Sequence, residues 1–87
     1  MATVWVPALL RPLCGGASRV EVDGATLGAV LEAVDRQFPG FLGRVVEGGR
    51  VRPELAIAIR GEVASYALHE PVPPGAEVSI VPAVGGG

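Results

Sequence analysis

Thr26-Leu27-Gly28-Ala29-Val30-Leu31-Glu32-Ala33-Val34-Asp35-Arg36-Gln37-Phe38-Pro39-Gly40 decides the fold, because it is the one long stretch with a helical period in a chain otherwise patterned for strands. Leu27, Val30, Leu31, Val34 and Phe38 recur at spacings of three and four, while Glu32, Asp35 and Arg36 fall on the other side. That spacing predicts an amphipathic helix with one apolar face to bury. Thr26 can cap its first turn through its side-chain oxygen, Asp23-Gly24 supplies the preceding turn, and Pro39-Gly40 ends the helix.

Working outward, the period changes from 3.6 to 2. Upstream, Thr3-Val4-Trp5-Val6 is β-branched and aromatic, and Val20-Glu21-Val22 alternates. The link between them is turn-rich, and Gly15 and Gly16 can take positive φ, so the two strands are expected to fold back as an antiparallel hairpin, with Pro7 ending regular pairing. Downstream, Phe41, Leu42, Val45 and Val46 suggest a short helical turn before Gly48-Gly49 releases the chain. Leu55, Ile57 and Ile59 alternate with Ala56 and Ala58 in a strand that turns at Arg60-Gly61, and Val63 to Leu68 offers a weaker one. Pro74-Gly75 turns the chain into Glu77-Val78-Ser79-Ile80-Val81, and Pro82 ends that last strand.

Strand, strand, helix, strand, short strand, strand is an α+β order in which one main helix covers one face of a mixed sheet of four to five strands. A β-grasp, or ubiquitin-like, fold satisfies it. The first and last strands then lie parallel at the sheet centre, residues 1–82 form the domain, and residues 83–87 are expected to project as a flexible glycine-rich tail.

Composition narrows the function. The 87 residues suffice for one domain, and a chain that short has little room for a deep enclosed active site. Seven basic and nine acidic residues leave a net charge of −2, without the basic stripe that nucleic acid requires. No apolar run approaches the roughly 20 residues of a membrane span, nor does the N-terminus resemble a signal peptide, so the expected location is cytoplasmic. One cysteine and one histidine leave neither an internal disulfide nor a set of zinc ligands, and no metal or cofactor is expected on this chain. Cys14 reads as a turn or packing residue and His69, beside Glu70, as a solvated loop residue. No nucleophile–base pair or carboxylate pair is apparent, so the chain is not expected to be an enzyme.

The chemistry is expected at the end. Gly85-Gly86-Gly87 follows the last strand after only Pro82, Ala83 and Val84, and a side-chain-free arm can lie extended in a narrow channel of another protein. There the Gly87 carboxylate meets a reactive centre. A carboxylate is a poor electrophile until ATP converts it to an acyl-adenylate, after which a sulfide or persulfide donor can displace AMP and leave a thiocarboxylate. No phosphate-binding Gly-x-x-x-x-Gly-Lys-Ser/Thr pattern occurs in the chain, so a partner must use the ATP and the sulfur donor.

Val6-Pro7-Ala8-Leu9-Leu10-Arg11-Pro12 with Gly15-Gly16, Thr26 to Leu31, Phe38-Pro39-Gly40 and Val78-Ser79-Ile80-Val81-Pro82-Ala83-Val84-Gly85-Gly86-Gly87 together resemble the ThiS/MoaD family of ubiquitin-like sulfur carriers over essentially the whole chain. The Leu-Arg-Pro and Pro-Ala-Val pieces look most like its CysO-type carriers of cysteine biosynthesis. The resemblance implies activation at Gly87 by an adenylating enzyme of the MoeB/ThiF type and delivery of sulfur to an acceptor on a separate synthase. A metalloprotease that releases product is a further implied partner, and the carrier alone is expected to be a monomer. Cysteine or a sulfur-containing natural product is the implied outlet; a molybdopterin-synthase small subunit, a thiamine-thiazole carrier and a modifier conjugated to lysines are the alternatives. Family tails commonly end in Ala-Gly-Gly, so Gly85 replaces the alanine. The family's Asn-Gly turn reads Arg60-Gly61 here, and its acidic turn before the last strand reads Pro74-Gly75-Ala76.

If Val4 and Val6 face the helix, Trp5 must point to the open face of the sheet, with Ser79 and Val81 beside it on the last strand. Trp5 is then either an anchor for a partner or a ring half-covered by loops, and Val81, Pro82 and Val84 join it as candidate partner-binding residues. Arg11 and Arg60 read as solvated surface charges.

Overall fold

The computed structural model describes residues 1–63 and 68–82. The helix read from the sequence is α1, Leu27–Gln37. Its ends show why it starts and stops there. Thr26 is extended, and its Oγ1 accepts a hydrogen bond from the Ala29 N–H at 3.2 Å. Two further first-turn donors have no partner inside the helix and find one in the returning chain: the Leu27 N–H donates to the Glu70 carbonyl at 2.9 Å and the Gly28 N–H to the Leu68 carbonyl at 2.7 Å. At the other end Asp35 departs from the solvent-side role its spacing suggested. Its Oδ1 accepts from the Gly40 and Leu42 N–H groups, at 3.1 and 2.9 Å, and so caps the start of α2, Phe41–Val45. Pro39 stops α1, and the carboxylate ties the next turn back onto it.

Five strands form one mixed sheet, in the order β2-β1-β7-β5-β6. These are β1 Ala2–Trp5, β2 Arg19–Val22, β5 Leu55–Ile59, β6 Glu62–Val63 and β7 Glu77–Pro82. β1 and β2 are antiparallel with Val4 opposite Val20, and β1 and β7 are parallel with Val4 beside Val78. β5 runs antiparallel to β7, with Ile57 opposite Ile80. Every one of those partners is buried, and they share a single core cluster with Leu27, Val30, Leu31 and Val34 of α1. Sheet register and helix period therefore agree on one apolar interior. The parallel central pair and the α+β, β-grasp layout are as expected. No helix among the described residues is long and apolar enough to cross a membrane.

Several elements were not legible. The link read as a turn contains a 3-10 helix, Ala8–Cys14, that buries Leu10 and Cys14 and ends on Gly15 in the left-handed region. Gly48-Gly49 does not simply release the chain: both glycines take positive φ in a tight hairpin that pairs β3, Val46–Glu47, with β4, Arg50–Val51. The weak strand after Gly61 is only β6, Glu62–Val63, before the undescribed residues 64–67. Gly24 is needed for a different reason than its turn, since an added Cβ would sit 2.7 Å from the Val30 backbone nitrogen. The chain passes too close to α1 for any side chain there.

Arg60-Gly61 joins β5 to β6 as a two-residue loop in which both φ are positive, 55° and 85°. That is the pattern of the hairpin turn that favours Asn-Gly, and an arginine held there is strained. Arg60→Asn should therefore stabilise the fold by about 0.5–1 kcal/mol, read as a higher midpoint in urea with an unchanged m-value. An unchanged or lower midpoint would count against the strain.

Candidate functional site

The face of the sheet away from α1 follows from the same alternation that builds the core. In β5, Leu55, Ile57 and Ile59 point inward, so Ala56 and Ala58 point out. Register then assembles a transverse row: Arg19 is opposite Trp5, Trp5 is beside Ser79, Ser79 is opposite Ala58, and Ala58 is opposite Val63. Val81, opposite Ala56, lies one step nearer the end of β7. Small residues on β5 and β7 leave Trp5 and Val81 standing above a shallow surface, 37% and 46% exposed. A groove of about 250 Å³ runs beside them, bordered by Pro7, Arg11, Ser18 and Ser79.

The expected position of Trp5 on the open face is what the structure shows, and neighbouring side chains rather than loops hold the ring. Its indole N–H donates to Glu77 Oε1 at 3.0 Å, and the Arg19 guanidinium sits 5.9 Å from the ring centroid. A ring fixed by one hydrogen bond and one cation–π contact has less rotamer freedom to lose when a partner covers it. Pro82 is exposed and lies opposite Leu55, and Val81 and Pro82 are the last described residues of β7. Val84, Gly85, Gly86 and Gly87 lie outside the described residues.

Of the other candidates, Arg11 borders the groove, and His69 and Cys14 are not among its lining residues. Arg11 is not simply solvated, since its Nε donates to the Val6 carbonyl at 3.1 Å, bracing the start of the 3-10 helix. His69 is exposed on the loop that caps α1. Cys14 is a core residue at 1% exposure, and burial pushes its thiol pKa up, so the thiolate is disfavoured. Native Cys14 should react with iodoacetamide at least about a hundredfold more slowly than in denaturant, as protection by folding requires. Rapid labelling of the native chain would show that the thiol is reachable. The groove residues Pro7 and Ser18 and the β5 alanines were missed as site residues. The alternation of β5 did contain the alanines, but nothing in the sequence set the register that brings Pro7 and Ser18 beside Trp5.

With this geometry in place, the chain was compared with known proteins. The model of the ThiS family matches residues 4–87, a span that begins within β1 and takes in Trp5, β7 and the glycines at 85–87. The chain belongs to the ThiS family. Among the relatives of this ThiS-family chain, the sulfur carrier protein CysO of Mycobacterium tuberculosis is 32% identical over 90 residues, covering 98% of this chain and 97% of that protein. The crystal structure of M. tuberculosis CysO superposes with a TM-score of 0.91 at 31% identity, over 97% of this chain and 100% of the other. CysO in the BexX/CysO complex of Amycolatopsis orientalis gives a TM-score of 0.89 at 28% identity, covering 100% of both chains. Small archaeal modifier protein 3 of Haloferax volcanii is 31% identical over 67 residues, covering 75% of this chain and 73% of that protein.

Proposed function

We propose that the protein is a sulfur carrier and a co-substrate of partner enzymes. The observation that supports the reading is the ThiS-family match over residues 4–87, together with the similarity to the sulfur carrier protein CysO over 98% of this chain. An adenylating enzyme of the MoeB/ThiF type couples the Gly87 carboxylate to AMP and releases pyrophosphate. Hydrosulfide then attacks the carbonyl carbon, AMP leaves, and Gly87 holds a thiocarboxylate; with a persulfide donor the attack gives an acyl disulfide, and a thiol of the partner cleaves its S–S bond to release the thiocarboxylate and leave a disulfide. All ATP and metal chemistry belongs to the partner. This chain supplies an unhindered carboxylate and a surface that positions it.

That surface is the open face around Trp5, Val81 and Pro82, at the root of the tail. An aromatic anchor above small residues suits a partner that must seat the tail in one register. The acceptor synthase takes its turn on the same face, and the similarity to CysO favours cysteine or a sulfur-containing natural product as the outlet. A second reading, conjugation to lysines of other proteins, is favoured by the similarity to small archaeal modifier protein 3. ATP–pyrophosphate exchange by the adenylating enzyme should depend on this chain, and adding a sulfur donor should consume the adenylate without producing protein conjugates. Exchange that proceeds equally without the chain would refute the assignment, while conjugates on a denaturing gel would favour the modifier.

A further inference from the structure

All seven basic residues of this chain are arginines, and it contains no lysine. The observation bears on the activated tail. A Gly87 acyl-adenylate reacts with any free amine that reaches it: nitrogen attacks the carbonyl carbon, the bond to AMP breaks, a proton goes to solvent, and a stable amide remains. Arginine cannot do this at neutral pH, because its guanidinium stays protonated and offers no lone pair. We infer that the chain has no effective side-chain acceptor for its own activated tail, so that it does not acylate its own side chains and any amide it forms on another protein is not extended through a side chain into a polymer. The inference rests on activation at Gly87 as proposed above.

Geometry closes the routes within one chain and leaves the exposed Met1 α-amine, held only by a surface ion pair, as the amine open to a second copy's tail. The one thiol, Cys14, is the last residue of the 3-10 helix and is buried in the core, away from solvent and from a second copy's tail. The Met1 α-amine is paired with Asp23 at 3.5 Å, and the Met1 carbonyl accepts from the Gly75 N–H at 2.7 Å. Because β1 and β7 are parallel, Met1 lies at the starting end of β7 and Pro82 at its finish, seven residues or about 23 Å further along. Five residues follow Pro82, and no chain of that length spans more than about 18 Å. The tail thus falls short of its own N-terminus. Side-chain hydroxyls without an activating base are poor competitors.

The consequence is protective during loading, when an adenylate waiting for a sulfur donor would otherwise be lost to amide formation between carriers. Both readings of function are compatible with it, but within the second it excludes chains of carriers linked through lysine. A modifier built for such chains needs a lysine on its own surface, and this one has none.

The test uses the full chain with its adenylating enzyme and ATP, at alkaline pH and without a sulfur donor, alongside Arg36→Lys and Arg50→Lys variants at exposed positions far from the open face. Hydroxylamine trapping reports activation, and a denaturing gel with peptide mapping reports carrier–carrier amides. Expected are equal hydroxamate yields from all three chains, no side-chain adducts from the parent, and at least about tenfold more adduct from the lysine variants. Side-chain adducts of the parent chain would overturn the inference, as would lysine variants that stay as clean as the parent. Absent hydroxamate is a different failure and sinks the proposed activation; the same three chains carrying a preformed Gly87 thioester then test self-acylation by themselves, with the same outcomes.

Discussion

Removing Gly86 and Gly87 is expected to reduce sulfur loading by at least about a thousandfold while leaving the folded domain intact. The reason is distance. Each residue advances an extended chain by at most about 3.6 Å, so the new Gly85 carboxylate stops roughly 7 Å short of the centre that activates Gly87. A misplacement of even 1 Å in a reacting group can cost about a hundredfold, and no rearrangement of a domain seated on its open face recovers 7 Å. Stability should hardly change, since neither glycine has a side chain to bury. The checks are adenylate-dependent sulfur incorporation and a urea melt on the same preparation. Retained loading, or a large loss of stability, would contradict the division into a folded positioning domain and a reactive tail.

Trp5→Ala is expected to weaken the activating enzyme's hold by about 2 kcal/mol or more, roughly thirtyfold in kcat/KM for adenylation. Trp5 is the largest side chain on the open face, and its Glu77 and Arg19 contacts hold it in place before a partner arrives. Truncation removes the anchor and frees two charged neighbours that would then need desolvation without a ring between them. The loss should appear in KM more than in kcat, because an anchor on the sheet contributes binding common to ground and transition states. Folding should be affected by less than about 1 kcal/mol, as the ring lies outside the core. Unchanged kinetics with the folded variant would remove Trp5 from the interface and leave Val81 and Pro82 as the only described candidates.

The two predictions depend on features that were legible in the sequence to different degrees. Alternation in β1, β5 and β7 and the period of α1 announced the β-grasp layers, since each is long enough to show its period and each buries one face. The 3-10 helix escaped because Ala8–Cys14 has neither period at useful length, and Pro7 and Pro12 make the stretch look like a broken loop. The β3–β4 hairpin escaped because two residues on each side of Gly48-Gly49 carry no alternation to read. Asp35 looked like a solvent-facing charge, yet its value is local: it accepts the N–H groups that Pro39 forces out of the helix. The placement of Trp5 followed from alternation alone, while its clamp by Glu77 and Arg19 required the cross-strand register. The tail's chemistry was legible only as a position, three glycines directly beyond a central strand, and family membership over residues 4–87 gives that position its meaning.

The account turns on one atom at Gly87. Intact-mass measurement of the chain after incubation with the adenylating enzyme, ATP and a sulfur donor, followed by fragmentation of the C-terminal peptide, tests it most directly. The account predicts the mass change of a single oxygen-for-sulfur exchange, located on Gly87 and dependent on ATP. An unchanged mass despite adenylate formation, or sulfur found on Cys14 instead of the terminal carboxylate, would contradict it.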